Sequence, residues 1–179
     1  MSQAPLHLLL LALTTPALGE RIDRVVAVVG ERVVTEGDIA FEEALGGREG
    51  CPVPVLCDPA RPVLEHLVDM AVVRGLAGEA ATYRPPTADV ELRVLEVRDA
   101  FSPPSAWLAF LERFGLTEDA LAGLLYSRMV VERFVQRNIV LPTLAKGGDE
   151  EACRFAWNEA IAGWRTQVSI REVSPLGDP

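Results

Sequence analysis

Apolar and polar positions divide the chain into short β-type runs at its two ends and helix-type repeats between them. Ile22 to Val29 (IDRVVAVV) is rich in β-branched residues and predicts a strand. Arg32 to Thr35 (RVVT) follows a tight turn at Gly30-Glu31 as the returning strand of a hairpin. Gln167 to Val173 (QVSIREV) alternates and predicts a third strand. A terminal strand needs backbone partners, so we expect both chain ends to meet in one small sheet.

Between these strands, apolar residues recur at the spacing of one helix face. Thr35 and Thr117 are typical N-caps, and Gly75 and Gly78 within one helix are attributed to close helix packing. The predicted helices are Glu36–Leu45, Pro62–Tyr83, a helix from Thr87 to Phe101, Ser105–Phe114, Thr117–Val140 and Glu150–Arg165. Leu141 to Asp149 (LPTLAKGGD) is interpreted as a linker. The predicted fold class is mainly α: a bundle of five to six helices with a small antiparallel sheet formed by the N-terminal hairpin and the C-terminal strand.

The first 19 residues have the features of a secretion signal. They contain no charged side chain, Leu6 to Leu13 (LHLLLLAL) is apolar, and Ala17-Leu18-Gly19 places small residues at a signal-peptidase site. The apolar run is shorter than the about 20 residues that cross a bilayer. The alternative is a buried N-terminal helix. We expect an exported, periplasmic protein, without stable membrane insertion after cleavage, in which 20–174 is one domain and 175–179 a polar tail.

Composition and charge narrow the function classes. Hydrophobic residues make up 49% of the chain and charged residues 24%, which excludes a disordered protein. The net charge of -9 argues against a nucleic-acid binder, because such a protein needs a basic face. Glu91 and Arg93 belong to an alternating charge pattern that is interpreted as a solvated helix face.

Motifs for catalysis are missing from the sequence. It contains no GxxxxGK[ST], GxSxG or HExxH pattern, so neither ATP use nor hydrolase chemistry is indicated. His66 is the one histidine after residue 19, which leaves a Ser/His or Cys/His catalytic set hard to build. We therefore expect no catalytic centre and no cofactor.

Cysteine usage agrees with export. Cys51 and Cys57 bracket the short loop CPVPVLC, and a disulfide there suits an oxidising compartment and stabilises by about 2 kcal/mol. Free thiols are one alternative. A zinc site that gathers these cysteines with Cys153 and His66 is another, although the spacing matches no standard zinc pattern. Cys153 lies in an apolar helix stripe and is interpreted as a small buried side chain.

Several segments together resemble the N-terminal module of SurA-type periplasmic chaperones. Val25 to Asp38 resembles the family's two short strands and capped helix, and Leu64 to Asp69 (LEHLVD) its next helix. The segment beginning FGLTEDAL at Phe114 is similar to the entry of the long closing helix. Trp157 to Val173 resembles the helix and strand that return to complete the module. The resemblance extends over most of Ile22 to Val173 and implies a chaperone fold.

The chain departs from that family at one place. SurA-type proteins usually carry one or two parvulin prolyl-isomerase domains between the long helix and the C-terminal helix. Only the nine residues Leu141 to Asp149 occupy this place, and they cannot hold such a domain. The resemblance therefore implies the chaperone module without isomerase activity.

Together these features predict an ATP-independent chaperone, or holdase, for unfolded polypeptides such as outer-membrane proteins. A dedicated-partner assembly protein is the second hypothesis, and a prolyl isomerase the third. A holdase needs an apolar groove, and the predicted peptide-binding residues lie on a short aromatic helix flanked by prolines: Trp107, Phe110, Leu111 and Phe114. Ordinary core packing is the alternative for each of them, and it is the interpretation of Trp157 and Trp164.

Overall fold

Residues 23–173 are described by a computed structural model and form a mainly α fold with a small antiparallel sheet, which confirms the predicted fold class. The predicted signal segment 1–19 and the tail 175–179 lie outside the described residues. The elements are β1 (Val25–Val29), β2 (Arg32–Thr35), α1 (Glu36–Leu45), α2 (Val63–Ala77), α3 (Thr87–Asp99), α4 (Pro104–Arg113), α5 (Glu118–Val135), α6 (Leu141–Ala145), α7 (Glu150–Arg165) and β3 (Ile170–Glu172), with 3-10 turns at Pro54–Leu56 and Ala81–Tyr83.

The sheet brings the two ends of the described chain together. Its strand order is β2-β1-β3, and both pairs are antiparallel. The turn between β1 and β2 begins at Gly30, whose φ of 59° is open to glycine without a steric cost. In β3, Arg171 pairs with Val28 of β1, as expected for a terminal strand that must satisfy its backbone groups.

The long helix continues beyond its predicted end. After α5 the chain passes through π-helical Gln136–Val140 directly into α6. The sequence predicts a stop here because Pro142 lacks an N–H. The structure accommodates it because the preceding turn changes to π-type hydrogen bonding, with Leu141 N–H donating to Gln136 O. The predicted linker 141–149 is therefore helical in its first part, and only 146–149 connects to α7.

Two hydrophobic cores share α5. The first lies between the sheet, α2, the second half of α5 and α7, and it includes Val73 and Trp157. The second lies between α1, α3, α4 and the first half of α5, and it includes Val97 and Leu121. Trp164 packs against the first core, so the interpretation of both C-terminal tryptophans as core residues is confirmed.

The aromatic helix α4 is part of the second core. Three of the four predicted peptide-binding residues are buried, with exposed fractions of 4% for Trp107, 6% for Phe110 and 8% for Leu111. Phe114 is half-buried, with its ring 5.4 Å from that of Phe41. This corrects the prediction of an open aromatic surface. The bulky face of α4 packs inward because burying it removes the largest apolar area from water. Among the large apolar residues of α4, Leu108 remains exposed.

The cysteine predictions are resolved within the described residues. Cys51 and Cys57 are joined by a disulfide, with their Cα atoms 6.2 Å apart. Cys153 is a free, buried thiol on α7. The disulfide removes the two thiolates that the alternative zinc site requires, and among residues 23–173 no group of three or more His, Cys, Asp or Glu is arranged to hold a metal ion.

Asp69 connects α2 with α7 inside the protein. It is buried and forms ion pairs with Arg61, just before α2, and with Arg165, at the end of α7, whose Nε lies 2.8 Å from Oδ1. Burial raises the pKa of the Asp69 carboxyl, and the two guanidiniums oppose that change. The ion pair between Asp69 and Arg165 holds the end of α7 against α2, and α7 is the helix that leads the chain back to β3.

Candidate functional site

Three neighbouring cavities follow one face of α2, and we call them together the α2 furrow. The residues of this face that line it recur at helical spacing: Val63, His66, Leu67, Met70, Ala71, Arg74, Gly75 and the C-cap Gly78. At 1.5 Å per residue the face is about 22 Å long. That length accommodates about seven residues of an extended chain.

The middle part of the furrow is apolar, and we call it the apolar groove. It has a volume of about 200 Å³ and lies between β2 and α5, with α1 at one end and α2 as its floor. Leu67 and Met70 form part of its floor. Val33 on β2 and Leu124 on α5 line the groove and are 52% and 46% exposed. Large apolar side chains that remain exposed on facing elements mark an interaction site more often than scattered ones do.

The strand beside the groove is an edge strand. β2 pairs with β1 on one side, and no other strand among residues 23–173 pairs with it on the other. Two hydrogen bonds show which residues of β1 face β3: Gly30 N–H donates to Ser169 O, and Val173 N–H donates to Val26 O. Because the direction of the backbone groups alternates along a strand, residues 26, 28 and 30 all turn their N–H and C=O groups towards β3. Residues 27 and 29 therefore bond to β2, at Val34 and Arg32. The backbone N–H and C=O of Val33 consequently point to the open edge.

The end of the furrow near the hairpin is a cleft of about 480 Å³ that includes Gly75. A Cβ built on Gly75 would meet nothing within 4 Å, so close helix packing does not explain this glycine. Because glycine has no side chain, Gly75 leaves the cleft open. α2 ends soon afterwards, earlier than predicted, because Gly78 adopts a φ of 54°. Arg32 and Arg74 line both this cleft and the apolar groove. Burial and the charge of Arg74 lower the pKa of Arg32.

The other end is a cleft of about 460 Å³ between α1, α2, α5 and the disulfide loop, and we call it the disulfide cleft. Glu42 and Arg128 form an ion pair, and both residues line the disulfide cleft and the apolar groove, so this pair separates the two. His66 Nε2 lies 3.8 Å from Glu42. Burial lowers the pKa of His66, although Glu42 opposes it, so the imidazole is neutral at neutral pH. Cys51 and Cys57 border this cleft.

A cluster of buried charges lies at the junction of the two cores, beside the disulfide cleft. Glu49 Oε2 is 2.8 Å from Arg128, and Arg93 on α3 is 3.3 Å from both Glu49 and Glu132. Arg93 is therefore not part of a solvated face, as the charge pattern suggested. Burial alone would lower the pKa of Arg128, but the carboxylates of Glu49 and Glu42 outweigh it and raise that pKa. These ion pairs join α1, the segment just before Cys51, α3 and α5 beside the furrow.

Glu49 carries the excess charge of this cluster. Glu42, Glu49 and Glu132 face Arg93 and Arg128, which leaves one negative charge uncompensated. Burial raises the pKa of Glu49 above its ordinary 4.5, although both arginines oppose that rise. A raised folded-state pKa means that Glu49 supports folding most below pH 4.5 and loses that contribution as pH rises through the folded pKa.

We therefore expect Glu49→Gln to be more stable than the wild type at pH 8, by about 1 kcal/mol, because it neutralises the cluster. The advantage should shrink as the pH falls towards 4.5, where the wild-type carboxyl is protonated. Urea denaturation across this pH range measures both effects. Glu96→Gln is the control, since Glu96 contacts the same Arg93 but is exposed. A Glu49→Gln protein that is less stable than the wild type at pH 8 would show that the negative charge of Glu49 stabilises the fold.

Comparison with known proteins adds no family assignment. No protein-family model matches the chain, and no curated protein sequence is significantly similar to it. Within residues 23–173, no helix has both the length and the apolar character needed to cross a membrane. The functional conclusion therefore depends on the α2 furrow and on the sequence.

Proposed function

We propose that this protein is an exported, ATP-independent holdase that binds extended apolar segments of unfolded polypeptides in the α2 furrow. The apolar groove carries this proposal, because Val33 and Leu124 remain exposed on opposite walls of a trough next to a free strand edge. The sequence resemblance to the N-terminal module of SurA-type chaperones supports it. The predicted signal segment and the disulfide agree with work in a periplasm, with outer-membrane proteins as clients.

Binding and release follow from the state of the client. An unfolded chain exposes apolar side chains that the groove can bury, and each large one contributes about 1.5–3 kcal/mol when fully buried. A folded client has already buried these side chains and has little affinity for the groove. Ordering a flexible segment costs entropy, so binding is of modest affinity and reversible without ATP. The protein makes and breaks no covalent bond in this cycle.

Filling the furrow at Gly75 tests this proposal. We expect Gly75→Leu to weaken the binding of an unfolded polypeptide by about tenfold, because the new side chain occupies the hairpin end of the furrow. The fold should tolerate the change, since a Cβ at Gly75 meets nothing within 4 Å and leucine has the higher helix propensity. Fluorescence anisotropy with a labelled, permanently unfolded protein measures the affinity.

Gly163→Leu is the matched control for this experiment. Gly163 is also exposed in a helix and also has open space around its Cβ position, but it does not line the furrow. Gly163→Leu should bind like the wild type. Equal affinities for Gly75→Leu and the wild type would contradict a client that extends into the hairpin end of the furrow.

The second candidate function is assembly with one dedicated partner. The burial of Trp107 and Phe110 favours it, because these two large aromatic side chains are then not available to hold a wide range of clients. Aggregation assays with several unrelated unfolded proteins distinguish the candidates. Protection of most of them supports a holdase, whereas protection of none, together with one stable complex in a pull-down, supports the dedicated partner. Proline-limited refolding should proceed at its uncatalysed rate with either.

A further inference from the structure

The open edge of β2 presents backbone groups in the pattern that an added strand requires. The N–H and C=O of Val33 point away from β1, and they are the groups that a neighbouring antiparallel strand would bond. Such a strand would lie about 4.8 Å from β2. The apolar groove adjoins this edge, because Val33 of β2 lines it together with Leu124 of α5.

The charges at the two ends of the groove give a bound strand a direction. Asp38, next to the end of β2, is exposed and lines the groove, and its carboxylate accepts the N-cap hydrogen bond from Thr35 N–H at 2.8 Å. At the start of β2, Arg32 and Arg74 bring two guanidiniums together. Glu79 partly neutralises this pair through its contact with Arg74 at 3.0 Å. The groove therefore has an acidic end and a basic end.

We infer that a client segment binds as a fourth strand, antiparallel to β2 at its open edge, with a basic residue at its N-terminal end and a carboxylate at its C-terminal end. This inference rests on the proposed function and specifies its substrate class. An antiparallel strand begins opposite Thr35, near Asp38, and ends opposite Arg32, near Arg74. Both ends of the segment then meet opposite charge.

Strand addition makes the site selective for a pattern. Successive side chains of a strand point to opposite faces, so alternate client residues enter the apolar groove and the others face solvent. The preferred clients are segments in which apolar and polar residues alternate. Transmembrane β-barrel strands have this pattern, which connects the inference to outer-membrane clients. A site that recognises only total hydrophobicity would not distinguish alternating from blocked sequences.

A set of short labelled peptides with one composition tests this inference on the wild-type protein. The reference peptide is Lys-Val-Thr-Val-Thr-Val-Thr-Asp, and the blocked peptide is Lys-Val-Val-Val-Thr-Thr-Thr-Asp. We expect the blocked peptide to bind about tenfold more weakly than the reference, because it loses apolar contacts in the groove. A reference peptide that is N-methylated at its central valine should also bind about tenfold more weakly, because it loses a backbone hydrogen bond. Exchanging the terminal Lys and Asp should weaken binding about threefold.

Val33→Pro adds a test on the protein side. Proline removes the outward N–H of Val33, and an edge strand tolerates it there because that N–H is not bonded to β1. It should weaken the reference peptide about tenfold, whereas Val33→Thr, which retains the N–H, should bind like the wild type. Circular dichroism establishes that both variants are folded, and the N-methylated peptide gives the same test without any substitution in the protein.

The outcomes separate this inference from the proposed function. Equal binding of the reference, blocked and N-methylated peptides, in competition with an unfolded protein, would overturn strand addition and leave the holdase proposal standing. If no peptide bound and no unfolded protein were protected from aggregation, both proposals would be wrong. Discrimination between the peptides that disappears in Val33→Pro would support both.

Discussion

Trp107→Ala is expected to lower the free energy of unfolding by about 4 kcal/mol. The indole is 4% exposed and packs among the rings of the second core, with Phe101 at a centroid distance of 5.5 Å. Its Nε1–H donates to Glu118 Oε1 at 3.0 Å, so the truncation also removes a hydrogen bond between α4 and α5. Urea denaturation followed by circular dichroism measures the loss.

Leu108→Ala is the control for this prediction, because Leu108 is the next residue of α4 and is 66% exposed. It should change the stability by less than about 0.5 kcal/mol. The opposite pattern, in which Trp107→Ala remains stable but loses client binding, would return α4 to the role that the sequence first indicated. In that case Trp107 would contact clients rather than the second core.

Arg128→Met is expected to lower the free energy of unfolding by about 3 kcal/mol at pH 7.5. Arg128 pairs with Glu42 and Glu49. Its removal leaves Arg93 as the arginine that pairs with Glu49 and Glu132, and leaves Glu42 beside His66. Methionine retains most of the apolar stem, so the effect reports mainly the lost charge. The difference in the free energy of unfolding between Arg128→Met and the wild type should become smaller as the pH falls, because protonation of the uncompensated carboxylates then relieves their mutual repulsion.

Arg133→Met, on the same helix, provides the comparison. Arg133 lies 3.8 Å from Asp89, and both side chains are more than a third exposed, so its removal should cost less than about 1 kcal/mol at either pH. An Arg128→Met protein whose deficit stays constant between pH 5 and 7.5 would contradict an electrostatic role for the cluster. Its loss of stability would then come from packing.

Much of the fold follows from local patterns in the sequence. The β-branched run at Val25–Val29 and the return of the chain through α7 were predictable, because a terminal strand must find backbone partners. Trp157 was predictable as a core residue from the spacing of its stripe. The continuation of the helix through Pro142 was not, since the change to π-type bonding before it has no local sequence signal.

The candidate site was less accessible to sequence reasoning because its walls come from distant parts of the chain. Val33 and Leu124 are ordinary apolar positions until β2 and α5 are placed opposite each other. An aromatic stripe such as that of α4 has the same spacing whether it faces a core or a client, so burial decides its role. Gly75 was the one available signal, because a mid-helix glycine lowers helix propensity and therefore needs another reason.

Site-specific photo-crosslinking tests most directly whether the furrow holds clients. A photoreactive amino acid at Leu124 places the probe in the apolar groove, and the same amino acid at Leu108 places it on an exposed helix surface outside the furrow. With an unfolded outer-membrane protein as client, we predict strong crosslinks from position 124 and weak ones from position 108. Crosslinks that are as strong or stronger from position 108 would contradict binding in the α2 furrow.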